Sequence, residues 1–442
     1  MKADKTAVSD DCRDRISERI SVFLSISAAA MAAFAVVLPS GYSIGALFLL
    51  IGSVFGLIRS GVPHIDRTAW GVVFAMSAYS TYWITHAALH GADPSAFDQT
   101  SRLLLAVPVL LATAMYGLRW VFIWIGIALG GVSTGVIGLY ETYVESARRA
   151  SGGVGPEHFG NLSIFFASLS IVGLAWMSET RQPIRYQVIP ILGILGGFAG
   201  SLASGTRASW IALLVLLVLI TFALLRLRLR RMLLVMAVAI LVGSSALATT
   251  MDHSSFVTRL QGAAEDISHF YTDGARAGSM SKRFDVWKGS LRLFKEKPLF
   301  GWGDRGYQEE MNSLAESGYI TKGAARLNHS HNDWLNASSK RGILGLTILA
   351  ALYFFPIWLY LRFFRSEQSP SDRIISLGGL VASTNFLVYG LAHHALGSNN
   401  GVMNFAFWTA VFCGYITNAK RYNELSESCN QISHEPQRIS RS

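Results

Sequence analysis

Twelve long apolar runs constrain this chain more than any other feature. They fall at roughly 19–38, 41–58, 68–86, 102–117, 119–140, 160–178, 186–203, 207–226, 232–250, 343–364, 374–394 and 401–418. A helix needs about 20 largely apolar residues to cross the hydrocarbon core of a bilayer. Inside lipid every backbone N–H and C=O must find its partner within the protein, which favours a bundle of helices. The short alternating segments of a β-barrel are missing from the sequence. Only 15% of residues are charged, against roughly 25% in an ordinary soluble domain. The composition excludes a soluble enzyme, a disordered scaffold and a repeat array. The expected fold class is an all-α polytopic integral membrane protein with about 12 transmembrane helices.

The formal net charge of +10 does not point to nucleic acid, because the basic residues cluster in short links between apolar runs. Arg59 and Arg67, Arg119, Arg181 and Arg185, Arg226 to Arg231, and Arg362, Arg365 and Arg373 occupy one set of alternate links. The opposite set carries Arg102, Arg148 with Arg149, and Arg207. Cytoplasmic links carry the excess of Lys and Arg. The first set is therefore placed in the cytoplasm, and an even number of spans puts both termini there too; in a Gram-negative cell the opposite links face the periplasm. The N-terminus reads as a retained first span rather than a cleaved signal. Cys12, Cys413 and Cys429 offer no disulfide framework or thiolate metal site.

The organisation expected is a cytoplasmic tail (1–18), nine spans (19–250), a large periplasmic loop (251–342), three spans (343–418) and a polar cytoplasmic tail (419–442). A connection as long as 251–342 normally has structure or function of its own, and a small, mostly helical cap is expected. Ser281 to Lys297 reads as an amphipathic helix, with Phe284, Trp287, Leu291 and Phe294 on its apolar face and Lys288, Arg292 and Lys295 opposite. Pro298 and Gly301 end it.

Three outward features carry chemistry. Arg207, in Ser204-Gly205-Thr206-Arg207-Ala208-Ser209-Trp210, opens a span at the positive end of its helix. It reads either as a seat for phosphate or as an arginine snorkelling to lipid headgroups. Arg283, with Trp287 one turn on and Lys297-Pro298-Leu299-Phe300-Gly301-Trp302-Gly303 after it, reads as a ligand-binding residue or a solvated one. In Asn328-His329-Ser330-His331-Asn332-Asp333-Trp334-Leu335 the second histidine is suited to accept and return a proton. Capping, hydrogen bonding and a metal site are the alternatives, and the segment offers too few ligands for zinc. His393 and His394 are candidates for a cavity lining, or interface residues. His86, His90 and His158 lie in or beside short outer links, while His64 is on the inner side.

The order of these motifs resembles the O-antigen ligase and Wzy-type polymerase superfamily. The likeness is carried by Gly-Thr-Arg-Ala-Ser-Trp at a span start, the large outer loop, Arg283 with Trp287, and the Lys-Pro-Leu-Phe-Gly-Trp-Gly turn. His331-Asn332-x-x-Leu335 followed by Gly342-x-x-Gly345 completes it. The resemblance implies a GT-C-like membrane glycosyltransferase, independent of metal and without a cofactor. Its partners would be an undecaprenyl-diphosphate-linked O-antigen donor, a lipid A–core acceptor and membrane lipids, with no nucleic acid and no obligate protein partner that the sequence names. His331 matches the family's loop histidine, and Arg207 and Arg283 match its diphosphate-binding arginines. His329, Asn332, Asp333, Trp287, Arg148, Arg149, Glu309, Glu310 and His393 are candidates for binding donor or acceptor. Asp333, Glu309 and Glu310 are alternatives for orienting His331.

Twelve spans and one major outer loop look more like a lipopolysaccharide ligase than a polymerase, which often has two sizeable loops. Protein-glycosylating relatives often add a C-terminal outer domain, where this sequence has a polar tail. A polymerase is the alternative reading, and a polyprenyl-linked glycan transporter the nonenzymatic one.

Overall fold

The computed structural model describes residues 3–38, 40–91, 95–234, 236–238, 241, 279–366 and 368–434. The expected span at 232–250 and the first part of the expected loop, 251–278, therefore lie almost wholly outside the described residues. Among those residues the chain is helical, with no strand.

The first eight helices are α1 (Ala3–Ala33), α2 (Gly41–Ser60), α3 (Arg67–Leu89), α4 (Ser95–Tyr116), α5 (Trp120–Tyr143), α6 (Pro156–Glu179), α7 (Ile184–Ser204) and α8 (Arg207–Arg226). Three cap helices follow: α9 (Ser279–Glu296), α10 (Gly303–Glu316) and the short α11 (Lys322–Ala325). The bundle resumes with α12 (Asp333–Arg365), α13 (Pro370–Ala392) and α14 (Asn399–His434). Nine helices among the described residues are long and apolar enough to cross a membrane: α1 from Arg15, α2, α4 from Phe97, α5 to α8, α12 and α13. The protein is thus a polytopic helical membrane protein. α3 and α14 fall outside that set but pack within the bundle, α3 on α4 and α12, and α14 on α4 and α13.

Burial sorts the helices. The spanning stretch of α6 is enclosed by protein, whereas only a third of that of α8 is buried. Ile211, Leu214, Val218 and Phe222 of α8 and Leu47, Ile51, Phe55 and Ile58 of α2 form exposed apolar faces. Such faces are stable only against lipid or another apolar surface. Helices in lipid hold together by close packing rather than by hydrophobic burial, so small residues collect at their contacts. The α5–α7 contact is of this kind, and a Cβ at Gly131 would run into the backbone of Gly193. Phe165, Phe386 and Trp408, all fully buried, fill the centre around α6.

The starts of α6, α8 and α12 and the ends of α7 and α13 gather at the cap end. Arg149 Nε donates to the Ser204 carbonyl at the end of α7 (2.8 Å), and Asn332 Nδ2 donates to the Leu391 carbonyl at the end of α13 (2.7 Å). At the opposite end Lys420 pairs with Asp66 (2.7 Å) and Tyr415 donates to Asp372 (2.7 Å).

Candidate active site

The cap has its own small core, formed by Val286 and Leu293 of α9, Tyr307, Met311 and Leu314 of α10, and Ile320, Ala324 and Ala325. This corrects the expected face of α9. Val286, Gly289, Ser290 and Leu293 turn inward, while Leu291 is exposed and Phe284, Trp287 and Phe294 are half-buried. The small residues Gly289 and Ser290 admit Met311 and Tyr307 closely, so the inward stripe is narrower than the aromatic one. Lys288, Arg292 and Lys295 are exposed, as expected.

The Lys297–Gly303 turn packs into a break in α12. Gly342 there has φ 65 and ψ −162, a conformation open to glycine and costly for other residues. A Cβ on Gly342 would also strike the Leu299 carbonyl. Ile343 N donates to the Pro298 carbonyl (2.7 Å) and Trp302 N to the Ser339 carbonyl (3.1 Å). Tyr82 of α3 donates to the Arg341 carbonyl (3.0 Å), and His86 Nε2 bonds the Phe300 carbonyl (2.9 Å). The first turns of α12 are thereby fixed against the cap.

Those turns hold the loop that bears the histidines. Trp287 Nε1 donates to the Ser330 carbonyl (2.9 Å), and Ser330 Oγ meets Ser290 Oγ (2.9 Å). Lys340 Nζ donates to the Asn328 carbonyl (2.7 Å). Pinned on both sides, the loop carries His331 at φ 48. A non-glycine residue in the left-handed region costs of order 1–3 kcal/mol and persists only where its surroundings impose it. Asn332 then caps α12, its Oδ1 accepting from Trp334 N and Leu335 N.

A cavity of about 910 Å³ opens between this loop, the start of α6 and the end of α13. Glu157, His158, His329, His331, His393 and His394 line one part, and Gln99, Asp304, Gln308, Asn328 and Lys340 another. The His329 and His331 rings lie 4.2 Å apart, and His393 is 5.3 Å from His331 and 4.9 Å from His158. His394 Nδ1 meets Asp333 Oδ1 at 2.6 Å, and Tyr353 donates to Asp333 Oδ2 at 2.7 Å.

Burial pushes His331 down to about 4, and the nearby Arg283 and His394 push the same way. A neutral imidazole is the form that can take a proton. Its Nδ1 is buried without a hydrogen-bond partner, so Nε2 is the nitrogen it presents to the cavity. Burial likewise lowers His329, to about 3, and lowers His393.

Arg305 lines the cavity, whereas Arg149, Arg207 and Arg283 do not, although Arg283 is close enough to act on His331. Burial lowers the Arg283 guanidinium from its usual value; Glu157 and Tyr389 support its charge, while Arg149 and Arg207 oppose it. Arg149 pairs with Glu157 (3.0 Å) and donates to Thr206 Oγ1 (3.1 Å), directly before Arg207 at the start of α8. Glu157 thus answers Arg149 directly and Arg283 at longer range, while Arg207 acts on Arg283, and the surplus positive charge favours a further anion.

Arg149, Arg207, Arg283, His329, His331 and His393 therefore come together. Arg148 is exposed. Glu309 is exposed and paired with Arg305 (3.2 Å), and neither it nor Glu310 lines the cavity. Trp287 and Asn332 shape the loop through their hydrogen bonds. The Asp333 oxygens meet His394 and Tyr353. Sequence reasoning gave Glu157, His158 and Lys340 no part in the site and left the orientation of His394 open. Glu157 directly follows a Pro at the start of a span, and that position beside Arg149 was the available signal. Lys340 is buried against Asp304 (3.0 Å), which Arg341 also holds (2.8 Å). Burial alone would raise the Asp304 carboxyl, yet Arg341 and Lys340 hold it well below the usual range.

These features define a polytopic helical membrane protein with a capped, histidine-lined cavity beside a group of arginines. The stretch 191–350 matches the O-antigen ligase family model. It includes Arg207, Arg283 and His331 and leaves out Glu157, His158 and His394. An uncharacterized protein of Haemophilus influenzae is 23% identical over 382 residues, covering 85% of this chain and 94% of that protein. The family match supports an enzyme of ligase or polymerase type acting in O-antigen assembly.

Proposed function

We propose that this protein is an O-antigen ligase, transferring a glycan from undecaprenyl diphosphate to a sugar hydroxyl of lipid A–core at the periplasmic face of the bacterial inner membrane. The observation that carries this reading is the Arg283 guanidinium, close enough to feel the charges of Arg149, Arg207 and Glu157 and to act on the neutral His331. The donor's polyprenyl chain stays in lipid and its diphosphate meets the arginines. Their attraction strengthens as negative charge develops on the leaving oxygen. The acceptor enters the cavity under the cap, and His331 Nε2 takes the proton of its attacking hydroxyl. Direct attack inverts the anomeric carbon and releases undecaprenyl diphosphate. The arginines and a proton acceptor supply what this substitution requires, so no cofactor enters the scheme.

The test is reconstitution of the full chain with undecaprenyl-diphosphate glycan and lipid A–core. Joined lipopolysaccharide is the expected product. Growth of the glycan on its carrier would instead identify a polymerase. Movement of the donor across the bilayer without transfer would identify a transporter. His331→Ala is expected to lose about 10²- to 10⁴-fold in turnover with donor binding retained. Normal turnover would remove His331 from the chemistry.

A further inference from the structure

The reaction proposed above leaves a proton to be placed. The acceptor O–H bond breaks and a bond from that oxygen to the anomeric carbon forms. The bond from the anomeric carbon to the diphosphate oxygen breaks, and its electron pair stays on the phosphate. Each turnover therefore yields one proton, first held on His331 Nε2. His331 is a poor place to keep it. Its ring is largely buried, Arg283 stands nearby, and no carboxylate touches it.

Another histidine of the cavity is built differently. His394 is the first residue past the cap of α13, and Nδ1 of its ring lies 2.6 Å from Asp333 Oδ1. A carboxylate oxygen accepts, so Nδ1 carries the N–H and Nε2 is left with its lone pair. Asp333 is buried and held from its other side by Tyr353. Asn336 Nδ2 stands 3.3 Å from His394 Nε2, donating to that lone pair. The Asn336 Oδ1 atom is buried without a partner. A half-turn of the amide would set that oxygen against an Nε2–H, so Asn336 can serve either protonation state. The His394 side chain keeps 22% of its surface open, which gives a route to water.

His329 lies between the two histidines. Its ring is 4.2 Å from that of His331 and 5.4 Å from that of His394. Its Nδ1 bonds Asn328 Oδ1 (2.7 Å), which leaves Nε2 to accept. Besides His329, the charged and titratable groups that act on this corner are Glu157 and His158 of α6, Arg283 of α9, Lys340 of α12, His393 and His331 itself.

We propose that the Asp333–His394 pair is the proton acceptor that resets the site. The proton taken by His331 crosses His329 to His394 Nε2 and rests there as an imidazolium beside the Asp333 carboxylate. It then leaves to water through the open edge of the ring. His394 is in this scheme a proton carrier that acts through His331, and Asp333 is its positioning residue. The inference rests on the glycosyl-transfer reading.

The test uses the full chain in lipid, with undecaprenyl-diphosphate glycan and lipid A–core. Two variants are compared with wild type: His394→Ala, and the double variant Asp333→Asn with His394→Gln. The double variant keeps a neutral hydrogen-bonded pair and so guards against a merely misfolded protein. Both are expected to lose about tenfold or more in kcat while KM for the donor stays near wild type. Added imidazole is expected to restore part of the kcat of His394→Ala. Wild-type kcat in the double variant overturns the proposal. So does a loss in His394→Ala that imidazole leaves unchanged, since that marks a structural role. If the wild-type chain transfers no glycan, the glycosyl-transfer reading itself fails, an outcome distinct from both.

Discussion

At the residue scale, His331 combines a left-handed backbone, an unpartnered Nδ1 and a depressed proton affinity. The sign of its pH effect follows. Above about pH 4 the imidazole is neutral and can take a proton; as pH falls through that value it is already occupied. The acid limb of kcat/KM is expected near pH 4 rather than near the ordinary histidine value of about 6.5. A limb near 6.5 would mean that His331 is not the base or is more solvated than the structure has it. Arg283 carries a charge that burial opposes, so it gains from an anion. Arg283→Ala is expected to weaken donor binding or turnover by about tenfold or more, the scale of a hydrogen bond to a charged group. Donor titration and initial rates check this, and unchanged values in both would remove Arg283 from the diphosphate site.

At the element scale, motifs that looked like chemistry prove to be joinery. Trp287 ties α9 to Ser330, and Asn332 caps α12 and reaches α13. The Lys297–Gly303 turn fits the break at Gly342. Gly342→Ala combines a strained φ with a clash against the Leu299 carbonyl, each worth about 1–3 kcal/mol. A clear fall in Tm of the purified protein is expected, with loss of turnover as the loop bearing His331 loosens. A stable, fully active variant would mean that the turn does not position the loop. The aromatic stripe of α9 was legible from its spacing, but its orientation was not. Periodicity identifies an apolar face; it does not reveal that small residues on a neighbouring face allow closer packing.

At the scale of the whole molecule, the proposed orientation places the cap outside the cell and the Asp66–Lys420 end inside. With Cys12 and Cys429 replaced, a membrane-impermeant maleimide is expected to label Glu316→Cys, exposed in α10, on intact spheroplasts. Val62→Cys, exposed between α2 and α3, is expected to react only after permeabilisation. The reverse pattern would overturn the orientation and with it the periplasmic reaction.

By itself the sequence determined the class of the molecule, the approximate bounds of its helices and six of the candidate residues that the fold brings together. Lipid imposes those features locally: run length, basic flanks and helix-ending residues act over a few turns of chain. The tertiary structure alone decided that Glu157 joins the arginines, that Asp333 serves His394, and that Lys340 is buried against Asp304. His158 and Tyr389 meet though 231 positions apart, and Tyr82 holds the Arg341 carbonyl across 259. No local pattern encodes such partners, because the cost of burying an unpaired polar group is settled by whatever the packing of distant helices brings beside it.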